Sequence, residues 1–189
     1  MKDAKDGPGK VYQQDSQTGA YLVEIALDQY ENVFNEWDPA PFKRRDIDPD
    51  LRAYLADCAG DIPKRFNVKL VFSIAELLRD TEKEAHVTDG LRNYLAMEVR
   101  GIRQRLRVLY RTTAVYLVAA VALLLASTWV HRMDETALAF VALQEGVTIG
   151  AWVFAWEAMS SFLFGQLGLR SQARIWRRYR DAEFAFHYR

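Results

Sequence analysis

The pattern of apolar and polar positions divides the chain into a mixed amino-terminal part and a strongly apolar carboxyl-terminal part. Residues 112–130 contain no charged side chain. As a helix they extend about 28 Å, close to the hydrocarbon thickness of a bilayer, which is about 30 Å. A core helix of a soluble domain normally keeps a polar face, and this stretch has none. The pattern therefore predicts a first transmembrane helix over 112–130.

A second apolar stretch covers 136–169 and is interrupted by Gln144, Glu145 and Glu157. Only the charged residues 131–135 separate it from the first. A connection this short between two apolar helices predicts a tight hairpin, with 131–135 as the external turn and 136–169 as the second transmembrane helix.

The alignment of the two helices decides which carboxylate lies deeper. If the second helix starts opposite Val130, Glu145 lies near the centre of the bilayer. If it ends at Leu169, Glu157 is the deeper residue. The short turn favours the first alignment.

In residues 20–99 the spacing of hydrophobic positions predicts the strands and helices of a small α/β domain. Val23, Ile25 and Leu27 alternate as a strand, and Phe66 to Ile74 alternate as another. Asp48-Pro49-Asp50 is a helix start, and Gly60 is expected to end that helix. Its apolar stripe comprises Leu51, Tyr54, Leu55 and Cys58. Thr81 and Glu84 have the spacing of a capping box at the start of a second helix.

Together these segments predict an α+β membrane protein: a two-helix transmembrane hairpin with a small amino-terminal cytoplasmic α/β domain of two to three strands and two helices. Residues 1–19 form a polar segment with a possible first strand at 11–14. Residues 100–111 form a basic helical connector, which we expect to continue without a break into the first transmembrane helix. Residues 170–189 form an arginine- and aromatic-rich tail.

The net charge of zero hides an uneven distribution of charged side chains along the chain. The chain has 25 basic and 25 acidic side chains. Residues 1–99 hold 13 basic and 19 acidic ones, whereas residues 100–189 hold 12 and 6. Arginines flank both apolar helices on the side away from the turn, so the positive-inside rule places both termini in the cytoplasm of a cell bounded by an inner or plasma membrane. The first 20 residues do not resemble a secretory signal.

The tail predicts contact with the membrane surface. Arginine and tryptophan beside a transmembrane helix are typical of an interface with anionic lipid, and we expect no nucleic-acid partner. The predicted membrane-interface residues are Arg111, Arg170, Arg174, Arg177, Arg178 and Trp176. Phe184, Phe186 and Tyr188 alternate, so the last residues are also able to extend the open edge of the sheet. The alternative is that a partner or a second copy covers this edge.

Glu145 and Glu157, with Gln144, are the predicted intramembrane polar residues. A carboxylate at the bilayer centre costs about 2.5–3.5 kcal/mol, so it faces protein or water. One interpretation is a pore lined by Glu145 in a homo-oligomer. The other is packing, through a hydrogen bond to the first helix or as a protonated acid. Gly146 and Gly150 have the four-residue spacing that lets membrane helices approach closely.

The remaining candidate is an acidic loop after the first strand, where α/β sheets place ligand sites. Asp28, Asn35, Trp37 and Asp38 are its predicted binding residues, and a solvated structural loop is the alternative. Asp46, Asp48 and Asp50 lack the glycine of a calcium loop, and His86, His131 and His187 are scattered. Cys58 lies on an apolar stripe. We therefore expect no catalytic residues, no metal and no cofactor.

Three functions remain possible from the sequence. The favoured hypothesis is a non-enzymatic, oligomerising membrane anchor or assembly platform that acts through its cytoplasmic domain, with a possible cytoplasmic protein partner. The first alternative is an oligomeric ion-conducting pore or membrane-disrupting effector gated by that domain. The second is a membrane-bound enzyme that uses the loop at 28–38.

Overall fold

The computed structural model describes residues 11–41, 45–131 and 138–189 of the 189-residue chain. It is a mixed α+β structure with one three-stranded sheet and two long apolar helices. The chain divides into two compact units. The α/β domain comprises Met1–Arg100 and Ala173–Arg189, and the helical hairpin comprises Gly101–Gln172.

The α/β domain is built on a parallel sheet with strand order β1-β2-β3. Strand β1 is Tyr21–Ala26, β2 is Val68–Ile74 and β3 is Glu183–Tyr188. The central strand β2 pairs Leu70 with Val23 on one side and with Phe184 on the other. The carboxyl-terminal residues therefore complete the sheet edge, as their alternation indicated.

One face of the sheet carries the core. Its residues come from alternate positions of each strand, since successive side chains point to opposite faces. Val23, Leu70 and Phe72 are fully buried, and the rings of Phe72 and Phe186 stack at 5.3 Å. The opposite face carries Lys69, which bridges Asp15 at 3.2 Å and Glu183 at 2.8 Å.

Helix α1, Pro49–Asp61, begins as the sequence predicted. The carboxylate of Asp48 accepts hydrogen bonds from the backbone N–H groups of Asp50 and Leu51, and Pro49 occupies the first turn. Leu51, Leu55 and Cys58 are buried. Tyr54 is exposed at the edge, where its hydroxyl donates to the backbone oxygen of Glu24.

Two sequence-predicted helix boundaries are wrong. Helix α1 continues through Gly60 to Asp61 and is capped by Ile62, because Pro63 rather than the glycine stops it. Helix α2, Thr81–His131, is capped by Asp80, whose carboxylate accepts from the N–H groups of Glu82 and Lys83. The predicted Thr81 capping box is absent because Asp80 satisfies these donors one residue earlier.

The expected first strand at 11–14 is also wrong. Of these residues only Gln14 forms a bridge, with Tyr21, and the backbone of Gln13 accepts one further hydrogen bond from Leu22. Asp15 and Gly19, the latter at φ 66°, turn the chain tightly into β1. The pairing of this segment with β1 ends after these two contacts.

Helix α2 has 51 residues without interruption, which confirms the expected continuous helix. A second helical segment consists of α3, Leu138–Ser160, a π-helical turn at Ser161–Gly165, and α4, Gln166–Arg180. Both contain a stretch long and apolar enough to cross a membrane. The first residue of the expected external turn, His131, is the last residue of α2, and residues 132–135 lie outside the described part of the chain.

Within the hairpin the two helices run antiparallel in a defined alignment. The hydroxyls of Ser127 and Thr148 are 2.7 Å apart, and the rings of Tyr116 and Phe154 are 6.0 Å apart. Leu109 lies against Gly165. The expected alignment, with residue 136 opposite Val130, therefore differs from the structure by about two helical turns.

Candidate functional site

The acidic loop is held together by the side chains predicted to bind a ligand. The two carboxylate oxygens of Asp38 accept from the N–H groups of Ala40, at 2.9 Å, and Asp46, at 2.8 Å. These hydrogen bonds lower the pKa of Asp38 below its usual range. The side chain of Asn35 accepts from the N–H of Trp37 at 3.0 Å. Asp38 and Asn35 therefore act as structural caps within the loop.

Trp37 lies at the tip of this loop with 91% of its surface exposed. The backbone N–H of Asn35 donates to Asp46 at 2.8 Å, and Phe34 bridges Ile47, so the base of the loop is closed. A closed base presents the indole on a fixed support. Asp28 is exposed at the other end of the segment and does not join the Asp38 cluster.

The hairpin carboxylates point away from the partner helix. Glu145 and Glu157 are both exposed, and neither forms a hydrogen bond or ion pair with any residue the structure describes. Ser127 bonds Thr148 instead, and Thr128 bonds the backbone of Leu125. The expected alternative of a bond from a glutamate to the first helix is therefore not found among the described residues.

Gln144 and the two glycines divide between the inner and outer faces of the second helix. Gln144 is half-buried, and its backbone oxygen accepts from Thr148. A Cβ on Gly150 would contact Leu123 at 3.7 Å, whereas one on Gly146 would meet open space. Gly150 thus packs within the hairpin, whereas Gly146 is exposed.

The inner face shows a seven-residue spacing of small residues that the sequence analysis missed. Ala120 and Ser127 are buried on the first helix, and Ala151, Ala158 and the closely packed Gly165 follow on the second. Seven-residue spacing is the repeat of packed helix pairs. The seven-residue spacing is visible in the sequence, but the packing prediction used the four-residue spacing of Gly146 and Gly150 instead.

A polar cluster links the two helices of the hairpin at Tyr110, and the sequence analysis did not predict it. The hydroxyl of Tyr110 donates to the side chain of Gln166 at 3.1 Å and accepts from Arg170 at 2.7 Å and 3.0 Å. Arg170 was predicted at the membrane surface, and here it is held by the first helix. Arg111 is exposed next to this cluster.

The remaining predicted interface residues belong to the α/β domain. Trp176 is 4% exposed beneath the guanidinium of Arg52, so its ring has little surface to offer a bilayer. Arg174 and Arg177 are exposed, and Arg178 is half-buried with a bond to the backbone of Ile62. The three arginines therefore face different surroundings although they share one helix.

Two tyrosines meet one carboxylate at the carboxyl ends of the strands. Glu84 accepts hydrogen bonds from Tyr30, at 3.3 Å, and from Tyr188. The bond to Glu84 raises the pKa of Tyr188 to about 12, and Arg79 lies over the Tyr188 ring. Sequence spacing gave no signal for this cluster because its members are separated by long stretches of chain.

Candidate chemistry elsewhere is sparse among the residues that the structure describes. They contain no group of three or more potential metal ligands, and Cys58 is a buried free thiol. Comparison with protein-family models, with curated proteins and with solved structures gives no match for this chain.

Proposed function

We propose that the protein is a two-span membrane protein that self-associates through the outer face of its second helix. Copies of the α/β domain would thereby be held together at the cytoplasmic surface as an assembly platform. The observation that carries the proposal is the outward position of Glu157, which has no partner among the described residues of its own chain.

The membrane topology is supported by strand pairing as well as by charge. Strand β3 follows both apolar helices in the chain and pairs with β2, which precedes them. Strands of one sheet lie on the same side of a membrane, so the chain between them crosses it an even number of times. Two crossings fit the two apolar helices, and the flanking arginines assign the shared side to the cytoplasm.

The helix contacts support a greater depth in the membrane for Glu157 than for Glu145. The midpoint of 112–130 is residue 121, and the Ser127–Thr148 pairing sets Glu157 about 4.5 Å and Glu145 about 13.5 Å from that level along the helix axis. A carboxylate facing lipid at this depth is unfavourable by up to about 3 kcal/mol. A neighbouring copy that supplies hydrogen-bond partners removes that cost.

The surroundings of Glu157 are suited to a close helix contact. Ser160, a small residue, follows it by about one helical turn, or about 4.5 Å along the axis. Small residues allow two helices to approach, and a hydroxyl and a carboxyl then meet across the contact. A symmetric pair of hairpins brings each Glu157 to the Ser160 side of its partner.

The platform component is supported by Trp37. An almost fully exposed tryptophan on a hydrogen-bonded loop is typical of an anchor residue for a protein partner, because its ring contributes much contact area at small entropic cost. Self-association multiplies the number of such anchors presented together.

The test measures the dimerisation constant of the full chain in detergent by analytical ultracentrifugation. We expect Glu157→Leu to weaken association about threefold to thirtyfold, the effect of losing an interhelical hydrogen bond of about 0.6–2 kcal/mol. Glu157→Gln keeps a polar side chain and should retain most of the affinity. Glu145→Leu is the matched control. An unchanged constant for Glu157→Leu, or a monomeric wild-type protein, would refute the proposal.

A pore is the second candidate, favoured by the presence of outward carboxylates at two depths. In a ring of hairpins Glu145 and Glu157 could line one aqueous path. Cation flux from liposomes distinguishes the two functions. A pore requires flux that Glu157→Gln reduces, whereas a platform that only associates requires none.

A further inference from the structure

A cavity of about 470 Å³ opens within the α/β domain at the amino ends of all three strands. Its walls come from the start of β2 near Phe66, the start of β3 near Glu183, and the last turns of α4. All of its lining residues belong to the α/β domain. The cavity therefore exists independently of how the hairpin associates.

The cavity is strongly basic. Five basic and two acidic side chains line it. Lys69 is already paired with Asp15 and Glu183. Arg174 and Arg177 project from one side of α4, are exposed, and form no hydrogen bond with a described residue. These two guanidinium groups are available to a ligand.

Arg178 supplies unmet hydrogen-bonding capacity at the same wall. Its Nη1 donates to the backbone oxygen of Ile62 at 3.2 Å, but Nε and Nη2 are buried and have no acceptor among the residues that the structure describes. Burial lowers the pKa of this arginine. Unpaired buried donors are unfavourable, and an oxyanion supplies acceptors once the guanidinium turns toward it.

The need to neutralise helix carboxyl ends explains only part of this arrangement. Helices α1 and α4 both end near the cavity, and arginines are favourable beside such ends. The contact of Arg178 with Ile62 serves α1 in this way. It accounts for one guanidinium nitrogen of Arg178, and the charge of Arg177 acts in part on the neighbouring Asp181. Nε and Nη2 of Arg178 and the whole guanidinium of Arg174 are left unexplained.

From this geometry we infer that the cavity binds a phosphate ester. The arginines take the phosphate, since guanidinium groups match its oxygens in charge and in spacing. The volume falls in the range of small-molecule sites and exceeds the space that one phosphate fills. Phe66 and Ile175 provide an apolar wall for the group attached to it.

Two sources can supply this chemistry, a soluble phosphate ester and a phospholipid headgroup with a free phosphate. Isothermal titration of the full chain in neutral detergent distinguishes them with two water-soluble probes. Inorganic pyrophosphate represents the soluble source, and dihexanoyl phosphatidic acid represents the lipid. Dihexanoyl phosphatidylcholine is the neutral headgroup control, and it should not bind.

We expect one phosphate probe to bind with an affinity that Arg177→Gln and Arg178→Gln each lower tenfold or more. Arg79→Gln is the matched control, because it removes the same charge at the opposite end of the sheet, and it should leave the affinity unchanged. Tighter binding of pyrophosphate assigns a soluble ligand, and tighter binding of phosphatidic acid assigns a lipid headgroup.

The inference is overturned if neither probe binds, or if Arg79→Gln reduces binding as much as Arg177→Gln does. If Arg178→Gln fails to fold, Arg177→Gln decides alone, because that side chain is exposed and its loss removes no core contact. Binding of phosphatidylcholine as strong as that of phosphatidic acid also counts against a phosphate site.

Discussion

The α/β domain and the hairpin obey opposite packing rules within one chain. In the domain, Val23, Leu70 and Leu95 are fully enclosed by their own chain. In the hairpin, Leu125, Trp152 and Phe164 each expose more than half of their surface. An apolar side chain exposed to water is unfavourable, whereas one exposed to lipid is not. The domain encloses its apolar side chains, whereas the hairpin exposes them on two helices that are long and apolar enough to cross a membrane.

Polar groups show the same contrast. In the domain, Asp38 satisfies its two oxygens with backbone N–H groups of its own loop. In the hairpin, Glu157 has no such partner among the described residues. Where a chain supplies its own partners, the residue serves the fold. For Glu157 we propose that the partner is a second copy of the chain.

The strongest test of this contrast compares two leucines. Leu70→Ala removes a fully buried side chain from β2 and should lower the free energy of unfolding of the domain by about 2–5 kcal/mol. Leu125→Ala, on the outer face of the hairpin, should change the free energy of unfolding by less than about 0.5 kcal/mol. Pulse proteolysis of the full chain in detergent and urea measures both. Equal effects would remove the distinction.

The next test concerns the strand that closes the sheet. Phe186 stacks on Phe72, so Phe186→Ala should cost about 2 kcal/mol, less than for a fully buried phenylalanine. His187→Ala changes the adjacent exposed position and should be nearly neutral. Urea midpoints of the full chain give the comparison. If the two variants are equally stable, β3 does not complete the domain core.

Local signals predicted much of the domain, because they arise from neighbouring residues. Asp48-Pro49-Asp50 fixed the start of α1, and alternation identified β2 and β3. The remaining features of the domain depend on contacts that local sequence patterns do not show. Asp80 displaced Thr81 as the cap because it satisfies the same donors. Residues 11–14 form no strand, because their pairing with β1 is limited to Gln13 and Gln14.

The site was less predictable, since its members are brought together by pairing that spans the chain. The basic cavity joins Phe66 to arginines more than 100 residues later. Such pairing also means that a fragment ending at residue 99 lacks β3, so partner assays require the whole chain. In the hairpin, turn length was a poor guide to alignment, and the small inner residues such as Ala151 set it instead.

A smaller effect distinguishes the inner from the outer face of the hairpin. A Cβ on Gly165 would lie 3.1 Å from the side chain of Leu109, whereas one on Gly168 would meet nothing within 4 Å. Gly165→Leu should therefore destabilise the hairpin by about 1–3 kcal/mol through overpacking. Gly168→Leu should not. Thermal unfolding followed by far-ultraviolet circular dichroism measures both, and a Gly165→Leu protein as stable as Gly168→Leu would contradict the observed alignment.

The smallest expected effect is the pH dependence of stability that arises from Asp38, whose carboxylate is hydrogen-bonded within its own loop. The backbone N–H groups of Asp46 and Ala40 lower the pKa of Asp38 in the folded state. A lowered folded pKa stabilises the fold at pH values above the unfolded value of about 3.9, and that stabilisation is lost as pH falls through the folded pKa. The urea midpoint of the domain should therefore decrease between pH 6 and pH 3.

In Asp38→Asn the position no longer titrates, so this variant should be less stable than wild type at pH 6 and should lose less stability on acidification. Asp57→Asn removes an exposed carboxylate that has no hydrogen bond to a described residue, and it should keep the wild-type decrease. If Asp38→Asn and Asp57→Asn respond to acid identically, the loop does not draw its stability from the charged form of Asp38.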